Sequence, residues 1–297
     1  VPPPYGASVF SVGLALSAVY LIWGSTYLAI RFTVETVPPF LSAAARFTVS
    51  GAFLFAWRRI AGDPKATTSE WRNASIIGIF LLVGGNGGVV WAAQFIPSSL
   101  AALLVATVPL WMILFDALRP GGGRPGLSAL SGILIGFCGA VLLVGWTADQ
   151  ASAENLHGAI AVLIASCFWA VGSIFGKTAK LPASPLMTTA IEMLVGGAVQ
   201  IAIAYAFGEF SHFTLGAVSS RSAAAWVYLT IIGPAAFVAY AWLLRVAPIP
   251  LVATYSYVNP LVAIVLGYFL GNEILTPRIL LAAGLIIGSV ALVSRRA

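Results

Sequence analysis

The 297-residue chain is 60% hydrophobic and carries charge at only 8% of its positions, where a soluble domain carries roughly 25%. So few charges cannot cover a water-facing surface, and a mean hydropathy of +0.99 says the same; lipid must face much of the protein. The formal net charge of +6 does not indicate nucleic acid, because the basic residues sit in short gaps between apolar runs.

A bilayer core about 30 Å thick needs about 20 apolar residues of helix. Ten segments qualify: residues 9–32, 38–60, 72–95, 98–118, 127–147, 157–178, 184–207, 222–245, 249–271 and 276–294. The first has no basic leader region and no cleavage signal, so it is expected to stay as a helix. The gaps carry turn chemistry, as at Pro38-Pro39, Gly62-Asp63-Pro64, Pro97-Ser98-Ser99, Gly121-Gly122-Gly123 and Pro182 to Pro185. No gap is long enough for a soluble domain. The expected fold is an all-α polytopic membrane protein of ten transmembrane helices, working within the bilayer.

Orientation follows from the basic residues. Gaps on the amino-terminal side hold eleven, from Arg58 to Arg296, while the opposite side holds Arg31, Arg221 and Arg278. The bias puts both termini in the cytoplasm. Cys138 and Cys167 lie inside apolar runs without a CxxC pattern, and His157 and His212 are far apart. No metal site, cofactor or disulfide framework is expected.

The chain repeats itself. Shifted by 146 residues, Trp23 meets Trp169, Pro39 meets Pro185, Arg46 meets Glu192 and Gly51 meets Gly197. Shifted by 151, Trp91 meets Trp242 and Pro109 meets Pro260; shifted by 152, Gly132 and Gly136 meet Gly284 and Gly288. The small drift is what loop-length changes produce. Each unit, 9–147 and 157–294, holds five helices. An odd number forces the second copy to enter the membrane from the opposite side, the inverted repeat of secondary transporters.

Candidate functional residues follow from polarity at membrane depth. Arg46 and Glu192 sit about eight residues into their helices, roughly 12 Å deep. A charge there costs at least ~2.5 kcal/mol, so each is a candidate for substrate or proton handling; the alternatives are a structural contact or snorkelling. Gly84-Gly85-Asn86-Gly87-Gly88 is a hinge or cavity wall, or else close helix packing with Asn86 as interhelical glue. Thr254, Tyr255, Ser256, Tyr257 and Asn259 before Pro260 form a candidate substrate contact; the alternative is a kinked helix whose hydroxyls bond their own backbone. Pro109 is the matching kink in the first copy, without the polar cluster. Trp23, Tyr27, Trp91, Trp169, Tyr240 and Trp242 are candidates to line a pore, or to form interface belts. Gly132-xxx-Gly136 and Gly284-xxx-Gly288 leave a monomer or a weak dimer open. The sequence names no catalytic residue: Glu192 is the only acid deep in the bilayer, which argues against an intramembrane enzyme, and no ring of charges marks a channel.

Trp23-Gly24-Ser25, Ala45-Arg46-Phe47, Leu100 to Leu104 through Pro109, Leu251-Val252-Ala253 through Asn259-Pro260-Leu261 and Gly271-Asn272-Glu273 resemble the drug/metabolite transporter superfamily, EamA type. The resemblance covers nearly the whole chain and is similar in size and tryptophan content to the bacterial aromatic amino acid exporters of the YddG kind. It departs at Gly121-Gly122-Gly123, where the family prefers the Asn-Glu pair seen at Asn272-Glu273. The resemblance implies a bacterial inner-membrane exporter of amino acids or related metabolites, with a multidrug exporter as the rival. Its partners are a small-molecule substrate and the lipid bilayer. Helices 1, 3, 4, 6, 8 and 9 are expected to line a largely apolar cavity.

Overall fold

The computed structural model describes residues 8–118, 126–144, 153–247, 249–252 and 254–294. The Gly121–Gly123 run, Pro248 and the Tyr257 side chain lie outside the described residues. Among the described residues, ten apolar helical segments appear in the expected order. They are α1 (Val9–Val34), α2 (Pro39–Ile60), α3 (Thr68–Ala92), α4 (Ser98–Leu118), α5 (Leu127–Val144), α6 (Ala153–Thr178), α7 (Pro185–Ala206), α8 (Ser220–Val246), α9 (Tyr255–Leu270) and α10 (Pro277–Ser294).

Local chemistry sets the ends. Pro39 and Pro185, matched by the repeat, each open their helix near the first position, where a missing N–H costs nothing. Thr67 and Glu70 form a reciprocal capping box at the start of α3, with Thr67 N donating to Glu70 Oε2 at 2.7 Å. The carboxylate of Glu209, in the short helix Glu209–His212, accepts from Phe40 N at 3.2 Å and Leu41 N at 2.7 Å at the start of α2.

Glycines set the packing at the centre. A methyl group on Gly51 would stand 2.9 Å from Leu194 N, and one on Gly197 would stand 2.9 Å from Thr48 N. These repeat mates therefore let the backbones of α2 and α7 touch from both sides. Gly136 and Gly139 of α5 leave room for the side chains of Ser289 and Ile286 of α10. Gly284 and Gly288 face open space, so the α10 glycines take no part in that contact.

Three helices are irregular. α4 breaks between Val105 and Val108, just before Pro109. α8 breaks at Ile232, between Ile231 and Gly233-Pro234, a break that the reading of 222–245 as one helix did not contain. Pro234 has no N–H for the carbonyl of Thr230, and Ser50 Oγ donates to that oxygen instead, at 2.7 Å. α3 widens into a π-helical stretch at Ile79–Gly87, where Gln200 Nε2 of α7 donates to Leu82 O at 2.5 Å. In the register pairing Trp91 with Trp242, the α8 break falls opposite Phe80–Leu82. Both copies thus distort their third helix at the same level. Pro260, by contrast, lies inside a helix that continues through it.

Candidate functional site

At the centre, Trp23 meets four aromatic rings. Its centroid lies 5.5 Å from Trp169, 5.3 Å from Phe237, 5.0 Å from Tyr240 and 5.4 Å from Tyr255. Trp23 and Trp169 are repeat mates in edge-to-face contact, which is where mates on the pseudo-symmetry axis should touch. The Trp23 indole N–H is buried without a hydrogen-bond partner among the described residues.

This aromatic layer separates two chambers. The first, of about 60 Å³, is lined by Trp23, Tyr27, Arg46, Asn86, Trp169 and Tyr255, among others. The second, of about 340 Å³, lies toward the amino-terminal side and is lined by Ser173, Lys177, Thr188, Glu192, Tyr240 and Arg245. Phe237 lines both. Arg46 and Glu192, matched by the repeat on the touching helices α2 and α7, thus face different chambers, as inverted symmetry requires. Arg46 donates to Asn86 Oδ1. Glu192 forms no ion pair or hydrogen bond among the described residues; Arg245, in the same vestibule, is held by Ala183 O at 2.5 Å and Pro182 O at 3.1 Å.

The opposite side is tied shut by polar contacts. Arg31 Nη1 of α1 donates to Ile96 O at 2.6 Å and Ala93 O at 3.2 Å. Arg221 pairs with Glu35 at 2.5 Å, and Ser222 Oγ donates to Phe32 O at 2.6 Å. The Glu273 carboxylate accepts four bonds at the start of α4, from Ser98 N and Oγ at 2.6 and 2.7 Å and from Ser99 N and Oγ at 3.0 and 2.5 Å. Two local features aim it there. Asn272 adopts a left-handed φ of 51° after α9, and Gly267 leaves the space that Glu273 Oε2 crosses, 2.6 Å from where a methyl group would sit. The far side is therefore bridged by polar contacts, and the larger of the two chambers lies toward the amino-terminal side.

The sequence candidates divide accordingly. Trp23, Tyr27, Arg46, Asn86, Trp169 and Tyr255 come together in the cavity, and Glu192 and Tyr240 in the vestibule. α2 and α7 also line the cavity, through Arg46, Ser50 and Met193, because their glycines bring them to the axis. Trp91 lies outside it and packs against Phe95 in a tilted contact, with centroids 4.8 Å apart. Trp242 lines an apolar groove of about 990 Å³ between α1, α2, the start of α7 and α8. Of the α9 cluster, Thr254 bonds Tyr20 and its own Leu251 O. Ser256 is buried. Asn259 is oriented with its NH2 donating to Tyr255 O and Tyr20 O, both at 3.2 Å. Only Tyr255 of the cluster's described side chains reaches the cavity. Sequence reasoning missed Phe237, whose place between chambers leaves no mark in the sequence. It also missed the Glu273 tie, although Asn272 is a residue type that tolerates a left-handed turn.

The model of the EamA-like transporter family matches residues 10–145 and 156–295, one match per copy. The chain is 40% identical over 283 residues to the "uncharacterized inner membrane transporter YedA" of Escherichia coli K12, covering 94% of this chain and 89% of that one. An "uncharacterized transporter" of Archaeoglobus fulgidus is 26% identical over 88% of this chain and 89% of its own. A solved crystal structure at 24% identity shares the fold over 98% of this chain and 99% of its own, with a TM-score of 0.67. The chain is a polytopic membrane transporter and belongs to the EamA-like transporter family.

Proposed function

We propose that the protein exports amino acids or related small metabolites across a bacterial inner membrane by alternating access, with both termini in the cytoplasm. The observation that carries this reading is the pair of chambers on either side of the Trp23–Phe237 layer. A solute entering the vestibule meets Glu192 and Arg245, and movement of the aromatic layer passes it to the Arg46 cavity. Planar rings among the layer's aromatics suit a neutral or aromatic side chain, as in the exporters of the YddG kind. Ten helices in inverted copies allow the roles of the two chambers to exchange. Glu192, which forms no ion pair among the described residues, is the group suited to carry a proton in antiport. The reading takes the protein as a monomer or weak dimer.

The test is purified protein in liposomes loaded with radiolabelled phenylalanine, tryptophan or an aliphatic amino acid. Saturable movement is the expected result; no movement of any amino acid would remove the reading. Glu192→Gln should lose the response to a proton gradient, and an unchanged response would take Glu192 out of the coupling. One observation favours a multidrug exporter instead. The apolar groove near Phe53, Trp57 and Trp242 shares Ser50 and Pro234 with the cavity wall, a route suited to solutes dissolved in the bilayer. Transport of apolar cations that amino acids do not inhibit would support that second reading.

A further inference from the structure

Arg46 is 4% exposed, eight residues into α2. A guanidinium offers five N–H donors, and among the described residues Arg46 has Asn86 Oδ1 as its hydrogen-bond acceptor and the Phe47 ring 4.4 Å from its Cζ. No carboxylate pairs with it among the described residues. A buried cation without a counter-charge is costly, and one that faces a cavity is poised for an anion. Asn86 adds a second donor. Its Oδ1 is turned to Arg46, which leaves the NH2 group facing away, and that group bonds no protein atom among the described residues. Both side chains line the same cavity. Its other titratable lining groups, Tyr27 and Tyr255, are phenols, and Glu192 lies in the vestibule beyond Phe237.

We infer that Arg46 and Asn86 form a carboxylate-binding site, so that the transported solute is a carboxylate-bearing molecule held there by its acid group; this rests on the transport reading above. A volume of about 60 Å³ holds roughly four water-sized groups. That is room for a carboxylate beside Arg46 and Asn86, with the rest of an amino acid extending past it along the aromatic layer. By inverted symmetry, the Arg46 chamber is the one that opens when the far side unseals. The acid group therefore leads the solute toward release.

The experiment uses the full chain in lipid nanodiscs. Thermal shifts are measured with the common amino acids, their amides and their deaminated acids, and with chloride as a separate arm. At least one amino acid should stabilise the protein, its deaminated acid should also bind, and its amide should bind about tenfold more weakly or worse, the loss of a charge-assisted hydrogen bond. Arg46→Gln should abolish the preference for acid over amide. Asn86→Asp should do the same while keeping the space filled, because it supplies Arg46 with an internal carboxylate; it remains informative if Arg46→Gln does not fold. Equal binding of acid and amide, a preference that survives both substitutions, binding of no acid at all, or an equal shift from chloride would each overturn the site. Transport without acid preference would sink this inference and leave the transport reading standing. Acid-selective binding without transport would do the reverse.

Discussion

Replacing Gly78 with alanine adds one methyl group where α3 crosses α7. That methyl would stand 2.6 Å from Glu192 O, 2.9 Å from its Cα and 3.1 Å from its carbonyl carbon. All three are main-chain atoms, so no rotamer change relieves the contact. Reaching the 3.4 Å of ordinary contact requires the helices to part by about 0.8 Å. Overpacking of this kind costs about 1–3 kcal/mol, and the better helix propensity of alanine returns up to ~1 kcal/mol. The net expectation is a loss of about 1–2 kcal/mol, or roughly 2–3 °C in the melting midpoint for a chain of this length. The assay is thermal unfolding in detergent, followed by tryptophan fluorescence. Gly284→Ala and Gly288→Ala are the controls, because nothing lies within 4 Å of either position. A Gly78→Ala protein that melts at or above wild type, or α10 controls that lose as much, would refute the packing argument.

Three further outcomes are expected. Glu273→Ala strands four donors at buried Ser98 and Ser99 and should cost about 2–4 kcal/mol, with Glu273→Gln intermediate; equal melting of all three proteins would show that the tie contributes nothing. Ser50→Ala should cost about 1 kcal/mol by leaving Thr230 O without its donor. The same change made on Pro234→Ala, which restores a main-chain donor, should cost less; a double-mutant cycle reads this, and additivity would contradict it. In the α2–α3 loop, the bond from Arg58 holds the Asp63 carboxyl below its ordinary value. A depressed carboxylate stabilises above its unfolded pKa and loses that contribution as pH falls through the folded one. Melting curves of wild type and Asp63→Asn should therefore converge only below the ordinary carboxylate range, and convergence at neutral pH would contradict the assignment.

The spans and the repeat were legible because both rest on one-dimensional signals: hydropathy over 20 residues, and Trp, Pro and charge in a fixed register. The register even anticipated contacts, since Trp23 touches Trp169 and Gly51 and Gly197 sit in one helix crossing. Mates off the axis, such as Trp91 and Trp242, do not touch, and sequence carries no measure of distance from the axis. The Gly84–Gly88 run marked the end of the π-helical stretch of α3, but not its start at Ile79 or the bond to Leu82 O from Gln200, 118 residues away. The α8 break was written in Gly233-Pro234, but hydropathy runs through it unchanged. The polarity of α9 was visible, whereas its consumption by backbone and Tyr20 contacts needed the third dimension.

The central claim is that the two chambers exchange access around the aromatic layer. It is tested most directly by side-specific cysteine labelling in liposomes, with Cys138 and Cys167 replaced. One reporter is Ala241→Cys in the vestibule; the other is Ala93→Cys, which is 5% exposed on the sealed side beside the Arg31 contact. The account predicts reciprocal change: without solute, position 241 labels and position 93 does not, and during transport position 93 gains reactivity as position 241 loses it. Simultaneous labelling of both positions from their own sides on one molecule, or no change at either while transport proceeds, would contradict it.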